Sequence, residues 1–352
     1  MSAPGDIHWA PPAHWPRFRV IDAHTAGEPL RVITGDFPAL RGDTILERRR
    51  DARDHHDHVR RALMLEPRGH ADMYGAVLTP PATDDGDVGV LFLHNEGYST
   101  MCGHGIIGLV KVGLDCGLLD VPDGRSEVRI DSPAGRITAR PTLEGERVGE
   151  VAFENVPSFV LAPEQQVDVP GVGKVAYDLA YGGAFYAYVD AASVGLRVEP
   201  AAVDRLVDVG MRIKRAVMEA APIRHPEGAA DLNFLYGTVF TEPGRDGADL
   251  RNVCIFADGE VDRSPTGTGV SGRAAIEHAR GRLGDGEALV VESVIGTRFR
   301  VRPLRRTTVG GLPAIVPEVT GRAYITGVND LVLEPGDPLE GGVLLRGAES
   351  RT

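Results

Sequence analysis

Tyr98-Ser-Thr-Met-Cys102-Gly-His-Gly-Ile-Ile-Gly108 and Asp262-Arg-Ser-Pro-Thr266-Gly-Thr-Gly-Val-Ser-Gly272 are versions of one another. Each sets a candidate reactive residue directly before Gly-x-Gly-x-x-Gly, a sulfur at Cys102 and only a hydroxyl at Thr266. They stand a little under half the 352-residue chain apart. The arrangement implies two homologous halves that share one site between them.

Working outward, Gly103 to Leu114 carries Ile106, Ile107, Leu109, Val110, Val112 and Leu114, apolar on nearly every face, so a helix there is expected inside the protein. The second motif opens a helix running to about Arg282. Around the first motif, β-branched runs broken by turn residues predict strands at Phe18 to Ile21, Leu30 to Ile33, Tyr74 to Leu78, Val88 to Leu93, Val128 to Ile130, Ile137 to Arg140 and Val148 to Phe153, with a helix at Asp57 to Leu65. The pattern lapses and proline rises over Val156 to Pro170. It then resumes with strands near Lys174 to Ala180, Phe185 to Asp190, Leu232 to Thr241, Val253 to Ala257, Ala288 to Val294, Arg298 to Arg302, Ala314 to Val319 and Gly321 to Ile325, and a long amphipathic helix from about Ala201 to Ala221. The expected division is 17–155 with a closing strand at 330–348 as the half carrying Cys102, 156–329 as the half carrying Thr266, and 1–16 as a loose arm.

Composition bounds the function. A hydrophobic fraction of 42% and a charged fraction of 25% are ordinary for a soluble globular protein with two cores. The net charge of −12 leaves no basic excess to neutralise phosphates, which argues against nucleic acid or an anionic membrane as partner. Arg48-Arg-Arg50, the only dense basic run, reads as a solvated face. No stretch approaches the ~20 apolar residues of a membrane span, and the proline-rich start lacks the apolar core of a signal peptide. Cys102, Cys116 and Cys254 cannot all pair and lack metal-type spacing, so a reducing, cytoplasmic compartment is the default. Assembly rests on the base rate alone, which favours a homodimer.

The glycine motifs also match the dinucleotide fingerprint. That fingerprint needs a β-turn-α unit with an acidic residue ending the next strand ~20 residues on, and neither motif is followed by one. What the motifs offer instead is a helix N-terminus. Its first N–H groups lack internal partners and its dipole favours negative charge, so two such ends facing each other would cradle a small carboxylate. A cysteine there is expected to have its thiolate stabilised and its pKa drawn down toward neutrality, as suits a base that takes a proton from carbon. Cys116 and Cys254 read as inert buried thiols.

Met101-Cys-Gly-His-Gly105 and Asp262-Arg-Ser-Pro-Thr-Gly-Thr-Gly269 resemble the signatures of the proline racemase family, which includes hydroxyproline epimerases and trans-3-hydroxy-L-proline dehydratases. Ile21-Asp-Ala-His-Thr-Ala-Gly-Glu-Pro-Leu-Arg-Val32, Glu66-Pro-Arg-Gly-His-Ala-Asp-Met-Tyr-Gly75, Tyr181-Gly-Gly-Ala-Phe-Tyr186 and Tyr324-Ile-Thr-Gly327 are similar to further family segments. The resemblance implies a diaminopimelate epimerase-like α/β fold, two pseudo-symmetric halves each wrapping strands around a central helix, with the site in the cleft.

The family's racemases and epimerases have cysteine at both motifs. Thr266 at the second departs from them and matches the dehydratase branch, because a hydroxyl cannot replace a thiol as acid and base at carbon. The implied activity is removal of water from trans-3-hydroxy-L-proline by Cys102 to give Δ1-pyrroline-2-carboxylate, with neither metal nor organic cofactor. Gly103, His104, Gly267 and Thr268 would hold the carboxylate, and Asp262 would accept from the ammonium. The alternatives are a proline racemase or 4-hydroxyproline 2-epimerase and a binding protein that has lost one thiol. His55-His-Asp-His58 reads as a charged surface opening a helix rather than a metal site. His70 and Asp72 read as shaping the pocket, and Arg224 and His225 receive no role.

Overall fold

The computed structural model describes residues 9–121, 125–220, 222–227 and 230–345. The first part of the chain runs β1 (Arg17–Thr25), β2 (Glu28–Ile33), α1 (Ile45–His55), α2 (Asp57–Met64), β3 (Tyr74–Thr79), β4 (Val88–His94), β5 (Tyr98–Ser99), α3 (Gly103–Asp115), β6 (Val128–Ser132), β7 (Gly135–Glu144) and β8 (Arg147–Glu154). It continues through β9 (Ser158–Val169), β10 (Gly173–Tyr181), β11 (Phe185–Asp190), α4 (Val203–Ala220), β12 (Leu235–Pro243), β13 (Leu250–Phe256), β14 (Glu260–Asp262), α5 (Gly267–Ala279), β15 (Leu289–Ser293), β16 (Arg298–Val309) and β17 (Leu312–Val332).

Strand pairing closes two circuits. The first runs β1, β2, β3, β4, β6, β7, β8, β17 and back to β1, with parallel steps at β2/β3 and β4/β6. The second runs β9, β10, β11, β12, β13, β15, β16, β17 and back to β9, with parallel steps at β11/β12 and β13/β15. Each circuit wraps one helix that is buried along most of its length, α3 in the first and α5 in the second. α3 is apolar on nearly every face and has little solvent face to offer, so enclosure by strands satisfies it. In both circuits a short strand on the inner hairpin, β5 on β4 or β14 on β13, delivers the chain to the start of the enclosed helix. This is the two-fold mixed α/β plan expected.

Several local expectations are corrected. The lapse at Val156 to Pro170 contains the 12-residue strand β9, whose alternation is broken where Glu164 takes φ +52° and the register to β10 shifts, as at a bulge. Ala314 to Val319 and Gly321 to Ile325 are one 21-residue strand, β17, which belongs to both circuits. Its end lies on the first circuit, with Val332 opposite Arg17; beyond it Val343 makes an isolated bridge to Glu66, and 346–348 fall outside the described residues. The Arg48 to Arg50 run lies within α1, which is capped by Thr44 and Glu47 and was not expected as a helix. His55 ends that helix, while His56, Asp57 and His58 open α2 as expected. Of the expected arm, 1–8 fall outside the described residues, and Trp9 is largely exposed. Among the described residues no helix is long and apolar enough to cross a membrane.

Candidate active site

β5 ends at Ser99, and three residues later Cys102 takes an extended conformation as the N-cap of α3. Its Sγ accepts from the Gly105 N–H at 3.2 Å, so the thiol itself occupies the capping position that a serine or aspartate oxygen usually fills. Across the molecule Thr266 caps α5 at φ +67°, a strained conformation for a β-branched residue, and its side chain makes no capping bond. A chain of local bonds holds that turn: Asp262 Oδ1 accepts from Ser264 N at 2.8 Å and Ser264 Oγ from Thr266 N at 3.1 Å. The Thr266 side chain is buried, close to Asp262 and Cys254.

The two helix starts meet backbone to backbone. A methyl at Gly103 would lie 2.5 Å from Gly267 Cα, and one at Gly267 would lie 2.6 Å from Gly103 Cα. Only glycine permits this approach. The first-turn N–H groups of Gly103, His104, Gly267 and Thr268 therefore converge where no backbone acceptor precedes them in either helix. Beside this junction is a narrow hollow of about 20 Å³ whose lining includes Cys102, His104, Asp262, Thr266 and Thr268, together with Gly103 and Gly267. The residues expected to act on or hold the substrate, Cys102, Gly103, His104, Asp262, Thr266, Gly267 and Thr268, thus line one small space.

Burial dominates its electrostatics. It pushes the Cys102 thiol well up, a rise opposed by the Gly105 N–H and reinforced by the nearby Asp262 and Glu28 carboxylates. This runs against the expectation of a thiol drawn down by its helix start: the desolvation of a charged sulfur outweighs the N–H bond it accepts. Burial likewise raises Asp262 up to about 6 and holds His104 down to about 3, leaving its imidazole neutral. That imidazole sits 3.3 Å from the sulfur through Nδ1, and the His104 carbonyl is fixed by the Thr25 hydroxyl at 2.8 Å.

The proline racemase family profile matches residues 20–344. The chain belongs to the proline racemase family. It is 48% identical over 328 residues to the trans-3-hydroxy-L-proline dehydratase of Colwellia psychrerythraea, covering 93% of this chain and 92% of that one. It is 47% identical over 327 residues to the 3-hydroxyproline 2-epimerase of Burkholderia multivorans, covering 93% of this chain and 97% of that one. Among solved structures, the hydroxyproline epimerase of Agrobacterium vitis, with trans-4-hydroxy-L-proline bound, superposes with a TM-score of 0.90 at 31% identity, covering 97% of this chain and 100% of that one.

In this proline racemase family member the hollow has more walls than the sequence showed. Tyr74, Tyr186, Tyr236, Phe256 and Cys254 also line it. Tyr74 and Tyr236 join their hydroxyls at 3.2 Å across the two circuits, and Tyr186 meets the Thr268 hydroxyl at 2.6 Å. Tyr74 and Tyr186 lie in segments that resembled the family, which was the available signal; Tyr236 sits in an ordinary strand and carried none. Cys254 is buried as expected but belongs to the lining, whereas Cys116 is exposed. His70 is exposed and Asp72, though buried, does not line the hollow, so neither shapes it directly. Among the described residues no group of histidine, cysteine and carboxylate side chains could hold a metal, the His55 to His58 run included.

Proposed function

We propose that this protein is a trans-3-hydroxy-L-proline dehydratase that uses the single thiol of Cys102. The observation that carries the reading is the asymmetry of the hollow: the α3 start presents a sulfur, and the α5 start opposite presents only the hydroxyl of Thr266. The names of the relatives lean the same way.

In this reading the substrate carboxylate lies against the N–H groups of Gly103, His104, Gly267 and Thr268, which stabilise the charge that grows on it as the Cα proton leaves. Its ammonium faces Asp262. Bringing a positive charge beside Asp262 offsets the carboxylate that raises the thiol, so binding shifts Cys102 toward the thiolate it needs to be. In the trans isomer the Cα hydrogen and the 3-hydroxyl share a ring face. The thiolate takes the Cα proton, the C–H electrons form the C2–C3 double bond, and the C3–O bond breaks. The same sulfur returns the proton to the departing oxygen, releasing water. The enamine then moves its N–H proton to C3 and becomes Δ1-pyrroline-2-carboxylate. Inversion would need an acid on the opposite face, where the threonine hydroxyl has a pKa far too high.

The test is a panel of proline and hydroxyproline stereoisomers assayed for pyrroline carboxylate and, in deuterium oxide, for label at Cα. Imine from trans-3-hydroxy-L-proline that disappears in Cys102→Ala supports the reading. Label and inversion at Cα without imine would instead make the protein a proline racemase or 4-hydroxyproline 2-epimerase.

A further inference from the structure

Three buried side chains from the first circuit grip one short strand of the second. β14 pairs along one edge with β13, placing Cys254 opposite Asp262. Because backbone N–H groups alternate in direction along a strand, those of Val261 and Arg263 point together toward the other edge. Among the described residues no strand pairs there. Two carboxylates take its place: Asp72 Oδ1 accepts from Val261 N at 3.1 Å, and Glu28 Oε2 accepts from Arg263 N at 2.7 Å. The Arg263 guanidinium reaches the same pair, with Nη1 at 3.5 Å from Glu28 Oε2 and Nη2 at 3.3 Å from Asp72 Oδ2. At the start of the strand, His94 Nδ1 lies 3.2 Å from Glu260 Oε1.

Glu28 is wholly buried and Asp72 nearly so, and Asp72 holds φ +64°, so both are kept against desolvation and, at Asp72, backbone strain. Both come from the scaffold that carries Cys102, through the start of β2 and the entry to β3. Between the two amides they grip sits Asp262.

We propose that Glu28 and Asp72 are positioning residues: by standing in for a missing strand edge they lock Asp262 in register with Cys102, and so set where the substrate ammonium lies. The proposal rests on Asp262 being the ammonium acceptor. Neither residue lines the hollow, so apart from the Glu28 charge that reaches Cys102 and Asp262, their effect is carried through β14.

Two probes separate the groups of the substrate. L-proline has both carboxylate and ammonium, whereas cyclopentanecarboxylate keeps the ring and carboxylate only. Calorimetric titration of the full chain should show Glu28→Ala and Asp72→Ala weakening L-proline about tenfold, the loss of a charge-assisted bond, while cyclopentanecarboxylate binds as it does to the unaltered protein. Glu28→Gln and Asp72→Asn keep an acceptor oxygen for each amide and should restore most of the L-proline affinity.

Equal loss for both probes, or no loss for either, would overturn the proposal, since a merely structural role does not distinguish them. Should Glu28→Ala not fold, Asp72→Ala against Asp72→Asn decides alone: no recovery in the asparagine variant overturns it. If the unaltered protein binds neither probe, the amino-acid site itself is wrong, and the positioning role falls with it.

Discussion

Asp262 offers a measurement in which stability and activity should move in opposite directions. Its carboxylate is buried, and that burial raises it from the usual 3.8 up to about 6 despite the Ser264 hydrogen bond. At ~1.4 kcal/mol for each tenfold change in proton affinity, this rise amounts to about 3 kcal/mol of destabilisation when the group is ionised. The folded value lies above the unfolded one, so the folded state binds the proton more tightly. The destabilisation is therefore complete above about pH 6 and gone below about pH 4, where both states are protonated.

Asp262→Asn keeps an oxygen for Ser264 N and removes the charge. It should be more stable than the unaltered protein by up to about 3 kcal/mol at neutral pH, with the difference shrinking toward zero as the pH falls through that window. Urea denaturation at about pH 7.5 and about pH 4.5 reads this directly. The same variant should lose at least about 100-fold in kcat/KM, as the ammonium loses its counter-charge. A variant no more stable than its parent at neutral pH, or equally stabilised at both pH values, would refute the electrostatic reasoning; full activity would refute the role given to Asp262.

Gly267→Ala should destabilise the protein by roughly 1–3 kcal/mol, because its methyl would stand 2.6 Å from Gly103 Cα with only backbone to yield, and its denaturation midpoint checks this. Thr266→Cys should add inversion at Cα, detectable as cis-3-hydroxy-D-proline formed from the trans-L substrate by chiral chromatography; an unchanged product set would mean that the second face is closed by geometry as well as by chemistry. Iodoacetamide should label the exposed Cys116 well before Cys102, whose thiolate is disfavoured by burial. Peptide mapping over time follows the order, and Cys102 reacting first would restore the lowered pKa that its helix start suggested.

Much of the site was legible because its makers are local. A cysteine or threonine before Gly-x-Gly opens a helix in both halves, and the stretch from Ile106 to Val112, apolar but for Lys111, favours an enclosed helix. Strand alternation reported most of the sheet in the same way, failing where a bulge at Glu164 broke the period and where one strand, β17, served two circuits. The resemblance to family segments pointed at Glu28, Asp72 and Tyr74 without saying what each does.

From the sequence alone came the duplicated plan, the sulfur-and-hydroxyl asymmetry and the residues around it, since these follow from bonded neighbours and their periodicity. Tertiary structure alone decided how those groups are charged and what else surrounds them. The direction of the Cys102 pKa turns on how much protein covers the sulfur, and Tyr236, Cys254 and the carboxylates gripping β14 arrive from the far ends of folded circuits. Desolvation and cross-circuit contact depend on distance in space, and no spacing along the chain encodes them.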